Sequence, residues 1–426
     1  MIKKPASDRS LYKENVMRSI SKSALAAFTV IISLLIVVSL TAAITLSVTR
    51  IDANATEITI GGNKKYQERY SRLDEVYQLL MSGYYKDIDS EVLIQGAIDG
   101  MLASLEDPYT FYYTPEEMAE SLESHSGKYS GIGILVSSDK DGGLCVNRVF
   151  KESPALAAGL LAGDVITHVD GHPISAKTTQ DMNDAIALVK GPDATDVEIT
   201  VMRKGEEKVF IVKRGQVNVN RVEHYVFDDV GYIILYEFLG DAVSGVKEAL
   251  RAFNDAGVKG IIFDVRSNTG GELYTCLNIT DLMIPEGLIM YTEDRYGNKD
   301  SHYSNEYAYG LPMVVLVDGM TASASEVFTA AIQDYGVGVV MGTNTFGKGI
   351  VQQIISFPTD GAGMQMTVEA YYTPSGRNIH EVGIQPDIIV ELSENYDPSI
   401  FTPDMENDNQ LKAAYDLVKQ MIEEEK

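Results

Sequence analysis

Gly260-Ile261-Ile262-Phe263-Asp264-Val265-Arg266-Ser267-Asn268-Thr269-Gly270-Gly271 carries an apolar run straight into a polar stretch that ends on two glycines. Gly260 to Val265 reads as a buried strand. Its surroundings repeat the theme. Upstream, Tyr232–Phe238 is another apolar run, and Asp241 to about Ala256 reads as a helix. Downstream, Met313–Val317 and Gly338–Met341 are further strands, with a helix starting near Ala322 between them. Apolar strands alternating with amphipathic helices predict an α/β layered core over residues 218–395. Leu411, Ala414, Leu417, Val418 and Ile422 then space out an amphipathic helix in a tail, 396–426.

Three segments of this core are odd for packing alone. Glycines 270 and 271 free backbone N–H groups to face a ligand, the arrangement an oxyanion hole requires. An ordinary strand-to-helix turn is the plainer alternative. Gly319-Met320-Thr321-Ala322-Ser323-Ala324-Ser325-Glu326 follows a strand at a helix start, where small residues expose a hydroxyl and the helix N-terminus favours negative charge. The same pattern serves as an N-cap followed by Glu, and spacing does not choose between Ser323 and Ser325. Thr345-Phe346-Gly347-Lys348-Gly349-Ile350-Val351-Gln352 sets a lysine among glycines and apolar strand residues. A lysine with a pKa of about 10.4 is only roughly 0.04% neutral at pH 7. Burial lowers that pKa and supplies the neutral amine a base must be, whereas a solvated loop lysine stays charged. Ser244-Gly245-Val246-Lys247 also has Ser-x-x-Lys spacing, but it falls inside the helix that starts at Asp241 and reads as structural.

Ahead of the core the texture changes twice. Residues 63–122 are patterned as a helical unit, with Leu73, Val76, Tyr77 and Leu80 at helix spacing and turn signals at Asp107-Pro108 and Thr114-Pro115. Residues 126–215 read as short strands. Gly131-Ile132-Gly133-Ile134-Leu135 opens one, and Ser153-Pro154-Ala155 starts a short helix that Gly159 stops. Lys204-Gly205 turns a hairpin. The phrases SGIGILV, SPALAAGLLAGDVITHVDGHPI and ALVKG within this segment resemble a PDZ domain of the circularly permuted bacterial form. That resemblance implies capture of a polypeptide C-terminus, with the N–H groups around Gly131, Ile132, Gly133 and Ile134 on the carboxylate and a strand edge taking up the peptide.

The core segments, with TASASE, FGKGIVQ, YYTPSGRNIH and GIQPD in order, resemble the carboxyl-terminal processing proteases, serine endopeptidases of the tail-specific type. The resemblance runs from about 63 to 395. It implies Ser323 as nucleophile, Lys348 as general base and Gln352 as the residue that orients the lysine. It also implies oxyanion donors from Gly270 or Gly271 and from Ala324, a crotonase-like α/β core, and no metal or other cofactor. Thr269 is a minor departure, since relatives often carry Pro or Gly there. The competing expectation is a catalytically silent PDZ adaptor that binds C-termini and cuts nothing. An acyl-thioester enzyme on the same kind of core is a third.

Composition narrows the setting. The 426 residues are 45% hydrophobic and 23% charged, an ordinary globular balance. A net charge of −26 excludes a grip on nucleic acid. Two cysteines, Cys145 and Cys276, make no disulfide framework or Cys-rich zinc site and are expected as free, buried thiols. The charge is uneven, however. Residues 1–22 carry six basic groups against Asp8 and Glu14, a net +4, which leaves −30 for the rest. Between Lys22 and Arg50 lie 27 uncharged residues rich in Leu, Ile, Val and Ala. That is enough for a membrane-spanning helix. Basic residues ahead of it place the N-terminus in the cytoplasm and the working part outside the cell membrane. The run is longer than a signal-peptide core, although small residues around Thr41-Ala42-Ala43 permit cleavage. The expected layout is a cytoplasmic arm 1–22, a single-pass anchor 23–49, a linker 50–62, then the helical unit, PDZ segment, core and tail. The flanking helical segments are candidates for a homodimer contact.

Overall fold

The computed structural model describes residues 64–424, apart from 127, 139–141, 306–307 and 394–402. The expected arm, anchor and linker lie outside the described residues. Among those described, no helix is long and apolar enough to cross a membrane. The chain divides into two compact units, 1–97 and 98–426. In the first, helix Lys64–Gly83 leaves Leu73, Val76 and Leu80 exposed. Helix Ser90–Ala103 starts in this unit and buries no side chain.

The second unit holds a six-stranded sheet in the order Val222–Phe227, Val230–Leu235, Gly260–Asp264, Met313–Val317, Val339–Gly342, Ile388–Ile389. All neighbours are parallel except the first pair. Alternation along each strand loads both faces. Ile261, Phe263, Val315 and Val317 pack with Phe253 and Phe328 on one side. Ile262, Val314 and Leu316 meet Leu411, Ala414 and Val418 of the C-terminal helix Asn409–Glu424 on the other. That tail is also tied by charge, because Arg266 lies between Asp264 and Asp408, 2.7 Å from each. Ile261 stands opposite Met313 and Asp264 opposite Leu316, so both strands end level and their following loops leave side by side.

A five-stranded antiparallel sheet contains Gly287–Asp294, Lys299–Ser304, Ile350–Ser356 and Gly363–Tyr372, together with Phe111–Tyr113. This corrects the expectation of an all-helical stretch to residue 122. Phe111 pairs with Gln365, drawing three consecutive aromatics, good strand formers, into the sheet that carries the Lys348 segment.

Within 126–215 a separate sheet runs Ile134–Ser138, Leu144–Val149, Val165–Val169, Asp196–Arg203, Glu206–Lys213. Helix Pro154–Ala158 is capped by Ser153 and ended by left-handed Gly159, the start and stop residues visible in the sequence. Neither cysteine forms a disulfide; Cys276 is buried, whereas Cys145 is only half-buried, contrary to expectation, on a strand face less covered than the one that carries Leu144 and Val146. This segment meets the core through Arg148, whose Nη2 donates to Glu223 Oε1 at 2.9 Å and to the Asn220 carbonyl at 2.7 Å. The guanidinium lies 3.5 Å from the Tyr236 ring centroid. Burial pushes the Glu223 carboxyl up, but the Arg148 charge and the Tyr225 hydroxyl outweigh it and hold the group below its usual range.

Candidate active site

Ser323 closes the turn after strand Met313–Val317 and caps helix Ala324–Tyr335 with φ 56° and ψ −118°. A non-glycine residue held there is strained, and such strain persists only where surrounding contacts enforce it. Here they do. The Ser323 N–H donates to Glu326 Oε2 at 2.8 Å, and its carbonyl accepts from the Tyr371 hydroxyl at 3.1 Å. The sequence lacks a Gly-x-Ser-x-Gly elbow, yet the backbone makes an elbow-like strand-to-helix turn. Ser325 lies two residues further on, inside the helix. It is fully buried, with its hydroxyl donated to the Asn268 carbonyl at 2.9 Å, so it is a packing residue.

The glycine loop lies against this turn. A Cβ on Gly270 would come within 2.9 Å of the Ala322 carbonyl and the Ala324 nitrogen, and one on Gly271 within 2.4 Å of the Phe238 carbonyl. Only glycine fits either place. Gly270 is buried and donates its N–H to Asn268 Oδ1 at 2.9 Å. Gly271 is exposed, and among the described residues its N–H meets no acceptor. The Ala324 N–H, in the first turn of its helix, is likewise without one. Two open donors thus flank Ser323.

Glu326 was visible in the sequence only as a capping residue. It is fully buried and accepts four hydrogen bonds. Oε1 takes the Thr345 hydroxyl at 2.6 Å and the Gly347 N–H at 2.7 Å. Oε2 takes the N–H groups of Ser323 and Lys348, both at 2.8 Å. One carboxylate therefore joins the serine turn to the lysine loop. The signal available in advance was a Glu in a small-residue run with no solvent-facing pattern.

Lys348 is half-buried. Burial lowers its amine below the ordinary lysine value, against the opposing charges of Asp107 and Glu326. The Nζ lies 4.6 Å from the Tyr109 ring centroid. No hydrogen bond links it to Ser323 or Gln352. The Gln352 Nε2 donates instead to Thr367 Oγ1 at 3.3 Å. Lys348 lies in the loop ahead of strand Ile350–Ser356, and the register with Gly363–Tyr372 shifts between Val351 and Gln352, with the extra residue, Val368, on the partner strand. A cavity of about 450 Å³ beside the lysine is lined by Asp107, Tyr109, Phe346, Ile350, His380 and Glu381, among others.

The other predicted site lies in the 126–215 segment. Strand Ile134–Ser138 pairs on one side only, leaving an edge. Beside it is a 330 Å³ groove lined by Ile132, Gly133, Ile134, Leu144, Ile186 and Val189, among others. Gly131 ends the preceding strand, and Ile132 is buried in the local core. Burial pushes the Tyr129 phenol up to about 12 while the Ile134 and Gly133 N–H groups that it faces pull the other way.

Comparison with known proteins fits this arrangement. The model of peptidase family S41 matches residues 229–390, the PDZ domain model 130–213 and the activating protease CtpB N-terminal domain model 40–117. A carboxy-terminal-processing protease of Bartonella bacilliformis is 33% identical over 353 residues, covering 80% of each chain. A probable CtpA-like serine protease of Staphylococcus aureus is 36% identical over 335 residues, 78% of this chain. The chain spans 66% of that relative's length. The structure titled photosystem II D1 C-terminal processing protease is similar with a TM-score of 0.51 at 27% identity, covering 81% of this chain and 90% of its own. The chain belongs to peptidase family S41, the carboxyl-terminal processing serine proteases.

Proposed function

We propose that the protein is a membrane-tethered, extracytoplasmic serine endopeptidase that captures polypeptide C-termini on its PDZ domain and cuts peptide bonds by a Ser-Lys acyl-enzyme mechanism. The observation that carries this reading is the Glu326 carboxylate, which holds the Ser323 turn and the Lys348 loop together beside two open N–H donors. Neutral Lys348 takes the Ser323 proton, and the alkoxide attacks the substrate carbonyl. The oxyanion is received by the N–H groups of Gly271 and Ala324. The lysine then protonates the leaving amine and later activates the water that releases the acyl group. Gln352 would have to leave Thr367 to orient the lysine.

The layout supports an arm 1–22, an anchor 23–49, a linker 50–62, a helical unit 63–122, a PDZ domain 126–215, a protease core 218–395 and a tail 396–426. Exposed Leu73, Val76 and Leu80 suit a homodimer contact. Tethering is checked by carbonate extraction of membranes and pairing by sedimentation in detergent. A washed-off or monomeric chain removes the corresponding part.

The purified chain is expected to cleave an unfolded polypeptide with a free, apolar C-terminus, and about tenfold or more slowly when that C-terminus is amidated, because charged acceptors make the stronger hydrogen bonds. Equal rates would remove carboxylate docking. Binding without cleavage would leave the silent adaptor, the reading favoured by the missing Ser323–Lys348 hydrogen bond, although such bonds often tighten only with substrate.

A further inference from the structure

Asp107-Pro108-Tyr109-Thr110 reads in the sequence only as a turn, yet it lies against the lysine. The Lys348 Nζ, 4.6 Å from the Tyr109 ring centroid, is within the roughly 6 Å over which a ring face holds a cation. The backbone beneath the ring is fixed. The Tyr109 N–H donates to Asp107 Oδ1 at 2.9 Å, and its carbonyl accepts from Gln365 Nε2 at 3.2 Å. Thr110, which is buried, receives the Thr367 N–H at 3.0 Å and donates to Asp107 Oδ2 at 2.6 Å. The ring also lines the 450 Å³ cavity beside the lysine.

We propose that Tyr109 is a positioning residue for the base, its ring face being the resting place of the protonated Lys348 and so a rival to the Ser323 hydroxyl for that amine. The inference rests on the Ser-Lys reading. The charged groups around the amine are Asp107 from the same turn and Glu326 from the serine helix, both favouring the cation. His380 and Glu381 stand on the wall of the same cavity. The ring adds to the acidic side of this balance without carrying a charge itself.

The test compares the full chain with Tyr109→Phe, which keeps a ring face, and Tyr109→Leu, which removes it. The Leu variant is expected to move the acid limb of kcat/KM to lower pH and raise kcat at pH 7 about fivefold with KM unchanged, the worth of about 1 kcal/mol of cation–π attraction. The Phe variant should track the parent. An unmoved limb in the Leu variant, a fall in kcat, or an equal shift in both variants would overturn the assignment. Labelling of Ser323 by a fluorophosphonate keeps the two levels apart. A parent that neither labels nor cleaves removes the Ser-Lys reading, whereas a labelled parent with an unmoved limb removes only the role of Tyr109. Should the Leu variant not fold, Tyr109→Met, also without a π face, reads the same limb.

Discussion

Ser323→Ala, Lys348→Ala and the double variant are expected to lose hydrolysis to one common level, about four orders of magnitude or more below the parent. The loss should not add, because the hydroxyl and the amine act on a single proton. What remains is the work of the two open donors at Gly271 and Ala324. The fold should survive each change, since Ala at φ 56° is strained as Ser is and the contacts enforcing the turn run through the Ser323 backbone. Binding of a C-terminal peptide should be unchanged, because the groove beside Ile134 lies in the PDZ domain. Single-turnover kinetics and calorimetry read both quantities. A Lys348→Ala protein that keeps a tenth of the parent rate would exclude the lysine as base.

Glu326→Gln is expected to lower kcat about a hundredfold and stability by about 2–4 kcal/mol. Four donors converge on the two carboxylate oxygens. An amide presents its own N–H₂ to one pair of them and leaves that pair unsatisfied inside the protein. If the amide nitrogen turns toward Oε2's place, the Ser323 and Lys348 N–H groups are the pair lost. A shift of about 1 Å between nucleophile and base is enough for a hundredfold rate loss. Thermal melts and steady-state kinetics measure both effects. A stable variant with the parent's kcat would mean that the serine turn and lysine loop hold their places without Glu326.

The core strands were legible because they are continuous apolar runs, and Met313–Val317 has the bounds its sequence suggests. The short helix at Pro154 announced itself through its capping residues. The antiparallel sheet was not legible. Lys299–Ser304 reads Lys-Asp-Ser-His-Tyr-Ser, and elsewhere the sheet joins segments some 250 residues apart, as where Phe111 pairs with Gln365. Patterning along one strand says nothing of such pairing.

At the site, motif resemblance singled out Ser323 and Lys348, whereas spacing left Ser325 and both glycines open. Separating them took facts that no residue name carries. The Ser325 hydroxyl and the Gly270 N–H are already engaged, both with Asn268. Gln352 came from the motif resemblance alone, and no residue name tells that its amide donates to Thr367. Tyr109 escaped notice because its importance comes only from what the antiparallel sheet brings beside it.

The Arg148–Glu223 pair sets what parting the PDZ domain from the core would cost. Hydrocarbon contacts, once parted, leave an oily scar that favours sticking elsewhere. Two opposite charges, by contrast, regain their hydration as they separate, and a buried ion pair is close to break-even against water to begin with. Removing one partner alone is the costly change, because the other is stranded dry. Such a seam behaves like a clasp, with little net gain from staying shut and a strong preference for one way of closing.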